Sequence, residues 1–214
     1  MSEQSDRIAE IAVEMRSMAQ TGLCYDTDDY QRIRYNRYLE LSNELESIIS
    51  GIPQEEIASS FNLLKEYATP KLDVRGVVFS ADRKILLSRE KCDGCWSVPG
   101  GWSDVNETPS ECAVKEVLEE AGLHVEPVKL LMLLDYRKWN TPPTNLSIYK
   151  MFILCKASES ELSHYVSHTD FDILGSGFFA EDEIPPLSVP RTSYSQIAKL
   201  FEFYDNASML PIID

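Results

Sequence analysis

The sequence predicts an α+β protein in which a small all-helical segment precedes a mixed sheet flanked by helices. Residues 1 to 69 carry only helical patterns of apolar side chains, and from Lys71 the pattern changes to short strands. Thr69-Pro70 marks the boundary, because the residue before a proline leaves the helical region. We therefore predict two domains, 1–69 and 70–214.

Three helices are predicted in the first domain. The first begins after Ser5 or Asp6 and is broken by Gly22, the second runs from Asp28-Asp29 to Gly51, and the third starts at Pro53. Their predicted inner faces are Ile8, Ile11, Met15 and Met18, then Ile33, Tyr38, Leu41, Leu45 and Ile48, and finally Ile57, Phe61 and Leu64. Because so small a unit has a thin core, we expect it to dock on its own second domain or on a partner subunit.

The second domain is predicted to be a succession of strands with two helices. Strands over 73–79 and 84–89 form a hairpin-like pair around a turn at 81–83, and a strand over 96–98 leads into Pro99-Gly100-Gly101. Further strands are predicted over 128–136 and 146–155, a short element starts at Phe178, and a last helix covers 194–204.

One helix after the glycine loop has well-marked ends. Thr108 is the predicted N-cap, Glu111 completes a capping box with it, and Gly122 ends the helix. One stripe of this helix is apolar and consists of Ala113, Val114, Val117, Leu118 and Ala121.

A second stripe of the same helix is acidic and consists of Glu116, Glu119 and Glu120. Like charges at this spacing repel each other, and no basic residue follows four positions later to offset them. Clustered carboxylates beside a glycine loop suit the hard cations Mg²⁺ and Mn²⁺, which prefer oxygen ligands. The alternative is a solvated acidic face.

The spacing of these residues resembles a known family motif. From Gly101, five residues lead to Glu107 and seven more to Lys115, followed by EVLEEAGL through Leu123. This resembles the Nudix box, G-x5-E-x7-R-E-U-x-E-E-x-G-U with U apolar, at every defined position except Lys115, where the family usually has arginine. The resemblance implies an α/β/α sandwich, a metal-binding loop–helix–loop and hydrolysis of a diphosphate linked to another group.

By this resemblance, the glutamates of the acidic stripe are expected metal ligands, with the Gly100 carbonyl as a further one. Glu107 is expected to pair with position 115. Lysine there keeps the charge but lacks the planar fork of arginine. We therefore expect Lys115 to hold Glu107 and its neighbours less firmly, without loss of activity.

The resemblance extends along nearly the whole chain. KLDVRGVVF, LLSREK, WSVPGGWSDV, GFFAEDEIPPLS and TGLCYDTDDYQRIRY are similar to a Nudix subgroup that has a helical N-terminal domain. Its members hydrolyse nucleoside diphosphates linked to X and are described as CDP-choline or ADP-ribose pyrophosphatases. The resemblance therefore implies a nucleotide-sugar or nucleotide-alcohol substrate, bound Mg²⁺ or Mn²⁺, and a homodimer.

Several further residues are candidates for the site. For the general base, Glu119 competes with Asp170 and Asp172 on the predicted loop before Phe178. Arg75 and Arg89 are placed on strands near the loop, where they bind phosphate or instead pair with a carboxylate. The remaining substrate-binding candidates are Trp102, which can stack on a base, and Tyr136 and Arg137, on the loop most suited to contact X.

The composition limits the partners. A net charge of −15 gives no electrostatic footprint for nucleic acid or for an anionic membrane, and it requires metal and local basic side chains to hold a diphosphate. No signal peptide or membrane-length apolar run is present, and the five scattered cysteines suit reduced thiols, so we expect a cytoplasmic protein. Cys92 and Cys95 form a C-x-x-C motif. We interpret it as a hairpin turn at Asp93-Gly94, in preference to a zinc or redox site.

Two other functions stay open at this point. One is a house-cleaning pyrophosphatase of the MutT type, which releases inorganic pyrophosphate from a nucleoside triphosphate. The other is a catalytically silent Nudix-like module that binds a nucleotide metabolite.

Overall fold

The computed structural model describes residues 3–60, 68–142, 144 and 146–214. The chain divides into two compact units, one formed by residues 1–70 with 143–147 and the other by 71–142 with 148–214. None of the helices within the described ranges has the length and apolar character that a bilayer crossing requires.

The N-terminal unit is helical, as predicted. Its elements are α1 (Glu3–Tyr25), α2 (Asp29–Ser50) and α3 (Gln54–Ser60). The predicted ends of α2 are confirmed, because the Asp28 side chain accepts the N–H of Tyr30 at 2.7 Å and Gly51 has a left-handed φ of +73°. In α3, Ile57 is buried as expected, whereas Phe61 and Leu64 lie outside the described residues.

The predicted break at Gly22 is wrong, because α1 continues to Tyr25. A Cβ atom at Gly22 would lie 2.3 Å from Cζ of Tyr35 in α2. The glycine therefore makes room for a ring of the neighbouring helix, and this contact outweighs its weak helix propensity.

The predicted inner faces of α1 and α2 are also wrong in part. Several buried side chains of these helices are small or polar, with Ala12 and Ala19 fully covered and the Ser42 hydroxyl donating to the Ala12 carbonyl at 2.7 Å. Leu39, which is outside the predicted faces, is also buried. The members of the predicted faces that are more than a third exposed are Ile8, Ile11, Met18, Ile33, Tyr38 and Ile48.

The C-terminal unit contains two sheets, and the predicted α+β architecture with a mixed sheet is confirmed. The strands are β1 (Lys71–Val78), β2 (Ile85–Glu90), β3 (Trp96–Ser97), β4 (Gly100–Trp102), β5 (Val125–Asp135), β6 (Ile148–Ala157), β7 (Ile173–Phe179) and β8 (Ile212–Ile213). The larger sheet has the order β4-β1-β6-β5-β8, in which β6 is parallel to β1 and β4 is antiparallel to it. The smaller sheet is antiparallel in the order β3-β2-β7.

The predicted hairpin-like pair of β1 and β2 is present only at its turn, since the two strands belong to different sheets. They are joined by a bridge between Phe79 and Ile85 around a tight turn in which Arg83 has φ +61°. Both edges of β1 are occupied by β4 and β6, so β2 pairs with β3 and β7 instead.

The element predicted to start at Phe178 is instead the end of β7, which begins at Ile173. Gly175, Ser176 and Gly177 lie inside this strand, so the Gly-Ser-Gly run belongs to the sheet and not to a loop. Asp170 and Asp172 occupy the turn that precedes the strand, where the Asp172 carbonyl accepts the N–H of Lys91 at 2.9 Å.

Four helices complete this unit: α4 (Pro109–Ala121), α5 (Tyr136–Trp139), α6 (Glu159–Ser163) and α7 (Tyr194–Asp205). The apolar core has two parts. One lies between the sheet and α4, around Val74, Val117 and Leu123, and the other includes Leu200 and Phe201 of α7.

The helix that carries the acidic stripe packs directly on β1. A Cβ at Gly76 would lie 2.4 Å from Cγ2 of Val117 and 2.8 Å from the Ala113 carbonyl oxygen, so only glycine permits this approach. The capping box of Thr108 and Glu111 and the left-handed Gly122 are present as predicted. Leu118, predicted on the apolar stripe, is 38% exposed, and buried Cys112 extends the inner face instead.

Candidate active site

The glycine loop is fixed against β1 by backbone contacts. Gly100 pairs with Arg75 in the strand register and has φ +150°, and a Cβ there would lie 2.1 Å from the Val74 carbonyl oxygen. The N–H of Gly76 donates to the Pro99 carbonyl at 2.8 Å. These contacts place the loop beside α4, which packs over the same strand.

The Glu116 carboxylate lies against the next residue of the loop. A Cβ at Gly101 would be 3.0 Å from Oε1 of Glu116, so the glycine leaves the space that this carboxylate fills. The Glu116 side chain is only 14% exposed, and burial is the largest cause of its raised pKa, with the charge of Glu119 adding to it. A positive charge next to Glu116 would lower the cost of ionising this buried carboxyl group.

Glu120 is a strongly perturbed carboxyl group of the site. Burial raises its pKa to about 7, with the charges of Glu90 and Glu116 adding to the rise and that of Arg75 opposing it. Its Oε2 atom is buried and makes no hydrogen bond of normal geometry among the described residues, although the Ser88 hydroxyl is near enough to oppose the rise in pKa. A buried carboxylate oxygen without a partner is costly, so this position is suited to a ligand that supplies positive charge.

These residues fit a divalent cation by donor type. Glu116 and Glu120 are desolvated oxygen donors on successive turns of α4, while Glu119 is exposed on the same helix. The described residues contain no group of three or more His, Cys, Asp or Glu side chains already converged on one point. Carboxylates at this spacing repel each other, and an oxygen-preferring cation offsets that repulsion.

Lys115 connects the loop to the helix. Its Nζ lies 3.0 Å from Oδ2 of Asp104, 3.1 Å from Glu107 and 3.8 Å from Oε1 of Glu116. The pairing of Glu107 with position 115, expected from the resemblance, is therefore present. Although burial of Glu107 opposes the effect, its hydrogen bond to Lys115 holds the pKa of that carboxyl below its usual range. Asp104 is a third member that the sequence did not indicate.

A buried charge network lies under the loop. Arg75 donates from Nε and Nη2 to the Asp73 carboxylate at 2.6 and 2.8 Å, and from Nη1 to the Val98 carbonyl at 3.0 Å. Lys150 of β6 donates to Oδ2 of Asp73 at 2.7 Å. Burial favours the neutral acid, but Arg75 and Lys150 outweigh it and lower the pKa of Asp73. Of the two alternatives for Arg75, pairing with a carboxylate is the one observed.

Two other substrate-binding candidates flank the loop. Arg89 is exposed, and its Nε donates to the Gly94 carbonyl at 2.9 Å in the turn between β2 and β3. Trp102, directly after the loop, is 47% exposed, with Lys71 Nζ 5.8 Å from its ring centroid. Cys92 and Cys95 occupy the same β2–β3 turn, and the antiparallel pairing of these strands confirms the predicted hairpin.

The candidates at the end of β5 differ in exposure. Tyr136 is buried, and its hydroxyl donates to the Pro142 carbonyl at 2.8 Å. Arg137 is exposed and donates to the neighbouring Asp135 carboxylate at 2.5 Å.

The chain matches two family models. Residues 69–199 match the NUDIX domain, and residues 6–61 match a UDP-X-like, N-terminal oligomerisation domain. The chain belongs to the Nudix family, as its box predicted, and its fold is that of a Nudix pyrophosphohydrolase. Within the family, it belongs with members that have this helical N-terminal domain.

Three relatives illustrate the similarity. YjhB of Bacillus subtilis (strain 168), whose ADP-ribose pyrophosphatase name is itself provisional, is 39% identical over 205 residues, or 96% of each chain. An ADP-ribose pyrophosphatase structure from Streptococcus suis 89-1591 is 39% identical with a TM-score of 0.59, over 68% of this chain and 100% of that one. A UDP-X diphosphatase structure is 27% identical with a TM-score of 0.62, over 98% and 99% of the two chains.

Proposed function

We propose that this protein hydrolyses the diphosphate linkage of a nucleoside diphosphate joined to X, of the ADP-ribose or CDP-choline type, with Mg²⁺ or Mn²⁺ bound. The products are a nucleoside monophosphate and phosphorylated X. One observation carries the proposal. A buried Glu120 oxygen, which makes no hydrogen bond of normal geometry among the described residues, lies on the same helix face as Glu116, whose carboxylate fills the space beside Gly101. The ADP-ribose pyrophosphatase and UDP-X diphosphatase names of relatives support this substrate class.

We assign Glu116, Glu119, Glu120 and the Gly100 carbonyl to hold the cation. When bound, a divalent ion neutralises phosphate charge and lowers the pKa of a water molecule, so that attack on phosphorus is feasible near neutral pH. Glu116 and Glu120 supply ionised oxygens at a position where burial disfavours their charge. The ion pair between Lys115 of α4 and Glu107 holds the loop in position beside the helix.

For the general base we propose Glu119. It is exposed on α4 between the two desolvated glutamates, so its carboxylate can accept a proton from a solvent-derived nucleophile. Asp170 and Asp172, in the exposed turn before β7, are the second choice.

We propose that Arg89 contacts the phosphate end of the substrate and that Trp102 contacts the base. Both residues present exposed groups on strands next to the loop. Arg75 acts through its buried charge and its bond to the Val98 carbonyl. Tyr136 and Arg137 are proposed as neighbours of X, with Tyr136 contributing the shape of the wall and not its hydroxyl, which is engaged by Pro142.

The test is a substrate panel with identification of both products. ADP-ribose, CDP-choline, NADH, FAD, diadenosine phosphates and nucleoside triphosphates are assayed with Mg²⁺ and with Mn²⁺. Glu116→Gln and Glu120→Gln are each expected to lower kcat by about 100-fold or more with the fold intact. Glu126→Gln, an exposed carboxyl of β5, is the matched control.

Other results of the panel identify the alternatives. Near-full activity in both box variants contradicts the site. Release of inorganic pyrophosphate from a nucleoside triphosphate indicates a MutT-like house-cleaning enzyme. Nucleotide binding without turnover in excess Mn²⁺ indicates a non-catalytic binding module.

We also propose that residues 1–69 form a dimerisation domain and residues 70–214 the hydrolase domain. The match to an N-terminal oligomerisation domain and the exposed apolar side chains of α1 and α2 support a homodimer. A cytoplasmic location is proposed because all five cysteines have free thiols, which suits a reducing compartment.

A further inference from the structure

An arginine outside the Nudix box, Arg191, is paired with a buried carboxylate beside the glycine loop. Its Nε is 3.1 Å from Oε1 of Glu90 in β2, and the Glu90 side chain is only 9% exposed. The hydroxyl of Ser97, at the end of β3, donates to the same Glu90 oxygen at 2.7 Å. Arg191 is thus linked through a single carboxylate to the strand that leads into the glycine loop.

The segment that carries Arg191 is held rigidly beside the glycine loop. Ser188 donates from its backbone N–H to the Trp96 carbonyl at 2.8 Å and from its hydroxyl to Oδ2 of Asp93 at 2.7 Å. Thr192 accepts the backbone N–H of Val98 at 3.0 Å. The segment is therefore fixed to β3 and to the residues that enter the loop, on both sides of Arg191.

The guanidinium of Arg191 is anchored without being covered. Glu90 is already bonded to the Ser97 hydroxyl at 2.7 Å, and Nη1 of Arg191 donates to the Ser188 hydroxyl at 3.3 Å. The Arg191 side chain stays 37% exposed. A guanidinium has more N–H donors than these contacts use, and they lie in a planar fork that matches a phosphate.

Two other basic side chains beside the loop are paired with carboxylates. The charge of Arg75 is buried on Asp73, and the Lys115 ammonium group lies among Asp104, Glu107 and Glu116. Arg89 is exposed, and its Nε donates to the Gly94 carbonyl in the β2–β3 turn. An anionic substrate that approaches a chain of net charge −15 needs a cation that is both positioned and accessible. Arg191 has both properties.

We propose that Arg191 binds a phosphate oxygen of the substrate diphosphate, with Glu90 and Ser188 orienting its guanidinium. This assignment rests on the proposed function, because it takes the diphosphate to lie between Arg191 and the glutamates of α4. Arg191 is a substrate-binding residue that tightens the ground-state complex.

The test compares Arg191→Met and Arg191→Lys with Arg83→Met. Arg83 is a matched control, since its side chain is 38% exposed and it is also paired with carboxylates, Glu181 and Asp205. Arg191→Met is expected to raise KM by about 10-fold or more, the value of one charged hydrogen bond, with kcat within about threefold. Arg191→Lys is expected to give an intermediate KM, and Arg83→Met no change.

Binding of inorganic pyrophosphate, measured by calorimetry in the presence of Mg²⁺, examines Arg191 independently of turnover. The expected result is affinity about 10-fold weaker in Arg191→Met and unchanged in Arg83→Met. If the wild-type protein turns over no panel substrate while this loss of affinity is seen, the proposed function fails and the role of Arg191 stands. If turnover is intact and affinity is the same in wild type and Arg191→Met, the role of Arg191 is contradicted.

Glu90→Gln separates binding from a structural role. It removes the ion pair but keeps the guanidinium, so KM is expected to stay within about threefold of wild type. If Arg191 served only to neutralise Glu90, Glu90→Gln would match Arg191→Met in KM and in unfolding temperature. That result overturns the proposal.

Discussion

Asp73 and Lys150 are directly paired neighbours in the parallel register of β1 and β6, and Lys150 Nζ lies 2.7 Å from Oδ2 of Asp73 in the buried interior. The same carboxylate accepts hydrogen bonds from Arg75 at both of its oxygens. A single carboxylate thus holds two buried cations together, and one of these cations reaches the Val98 carbonyl at the entrance to the glycine loop.

The first prediction concerns the Asp73 carboxylate and the two cations paired with it. Asp73→Asn leaves Arg75 and Lys150 facing each other without a counter-charge, so the free energy of unfolding is expected to fall by about 3 to 5 kcal/mol. Lys150→Met leaves the Asp73–Arg75 pair balanced and is expected to cost about 1 kcal/mol or less. Urea unfolding of both single variants measures the difference. Equal costs would show that Asp73 does not act as the centre of the network.

The parts of the site that sequence identified are local, and the parts that it missed join distant strands. Thr108, Glu111 and Gly122 could be assigned because capping follows from residues within one helix. The Asp73–Lys150 pair spans 77 residues and depends on the register of β1 with β6, which no local pattern encodes. The available signal was the presence of charged residues inside two largely buried strands, Asp73 and Arg75 in β1 and Lys150 in β6.

In the helical unit, the spacing of apolar residues correctly predicted the helices but not the residues through which they contact each other. The large residues Ile33 and Ile48 satisfy the periodic pattern, yet α1 and α2 meet through Ala12, Ala19 and the gap at Gly22. Close approach selects small side chains, and a pattern of hydrophobicity alone does not distinguish this face from an apolar face meant for a second subunit.

The second prediction tests that apolar surface. Ile33 and Ile48 are 68% and 73% exposed, so the variant Ile33→Glu with Ile48→Glu is expected to shift a dimer to the 24.3 kDa monomer without loss of helix content. Light scattering during gel filtration and circular dichroism measure the two properties. Leu210→Glu, at a position 82% exposed in the other unit, is the control and should stay dimeric. A monomeric wild-type protein at micromolar concentration contradicts the prediction.

The third prediction concerns the pH dependence of stability in the presence of EDTA. Glu120 has a folded pKa of about 7, above its ordinary value of 4.5, so the folded state binds the proton more tightly than the unfolded state. Stability is therefore fully present below the unfolded pKa and is lost as pH rises through the folded pKa, by up to about 3 kcal/mol. Glu120→Gln removes this loss, so it should be more stable than wild type at pH 8 and similar at pH 4.5.

Urea unfolding across this pH range measures the effect, with Glu126→Gln as the exposed control. Addition of Mn²⁺ is expected to raise the stability of wild type more at pH 8 than at pH 5.5, because the cation binds the ionised form. Parallel pH curves for wild type and Glu120→Gln would contradict the assignment of the shift to Glu120.

The fourth prediction separates two adjacent glycines. Gly100→Ala places a Cβ 2.1 Å from the Val74 carbonyl oxygen, which is backbone and cannot move aside, so a loss of about 3 kcal/mol or more is expected. Gly101→Ala instead meets the end of the flexible Glu116 side chain at 3.0 Å and is expected to cost about 1 kcal/mol or less. Because it displaces Glu116, however, it should weaken Mn²⁺ binding by about 10-fold or more.

Unfolding curves and titration of free Mn²⁺ by electron paramagnetic resonance measure the two effects. Gly51→Ala is the control, since Gly51 also has a positive φ, +73°, but has open space around its Cβ position. Unchanged Mn²⁺ affinity in Gly101→Ala would show that the position of Glu116 against the loop is not needed for metal binding.

The last prediction concerns Lys115. Its hydrogen bonds to Asp104 and Glu107 keep the pKa of its ammonium group raised despite partial burial, so the charge is present at every pH at which the enzyme is assayed. Lys115→Met leaves Glu107 and Glu116 without this cation and is expected to lower kcat by about 10- to 100-fold at pH 7 and pH 9 alike. Lys115→Arg should retain at least wild-type kcat, because a planar fork can bond to Glu107 through two N–H groups. Asp104→Asn is the control, since the Asp104 side chain is 77% exposed and such pairs contribute little. If Lys115→Met stays within about threefold of wild type, Lys115 makes only a surface ion pair, and the loop is held by the β1 contacts of Gly100 instead.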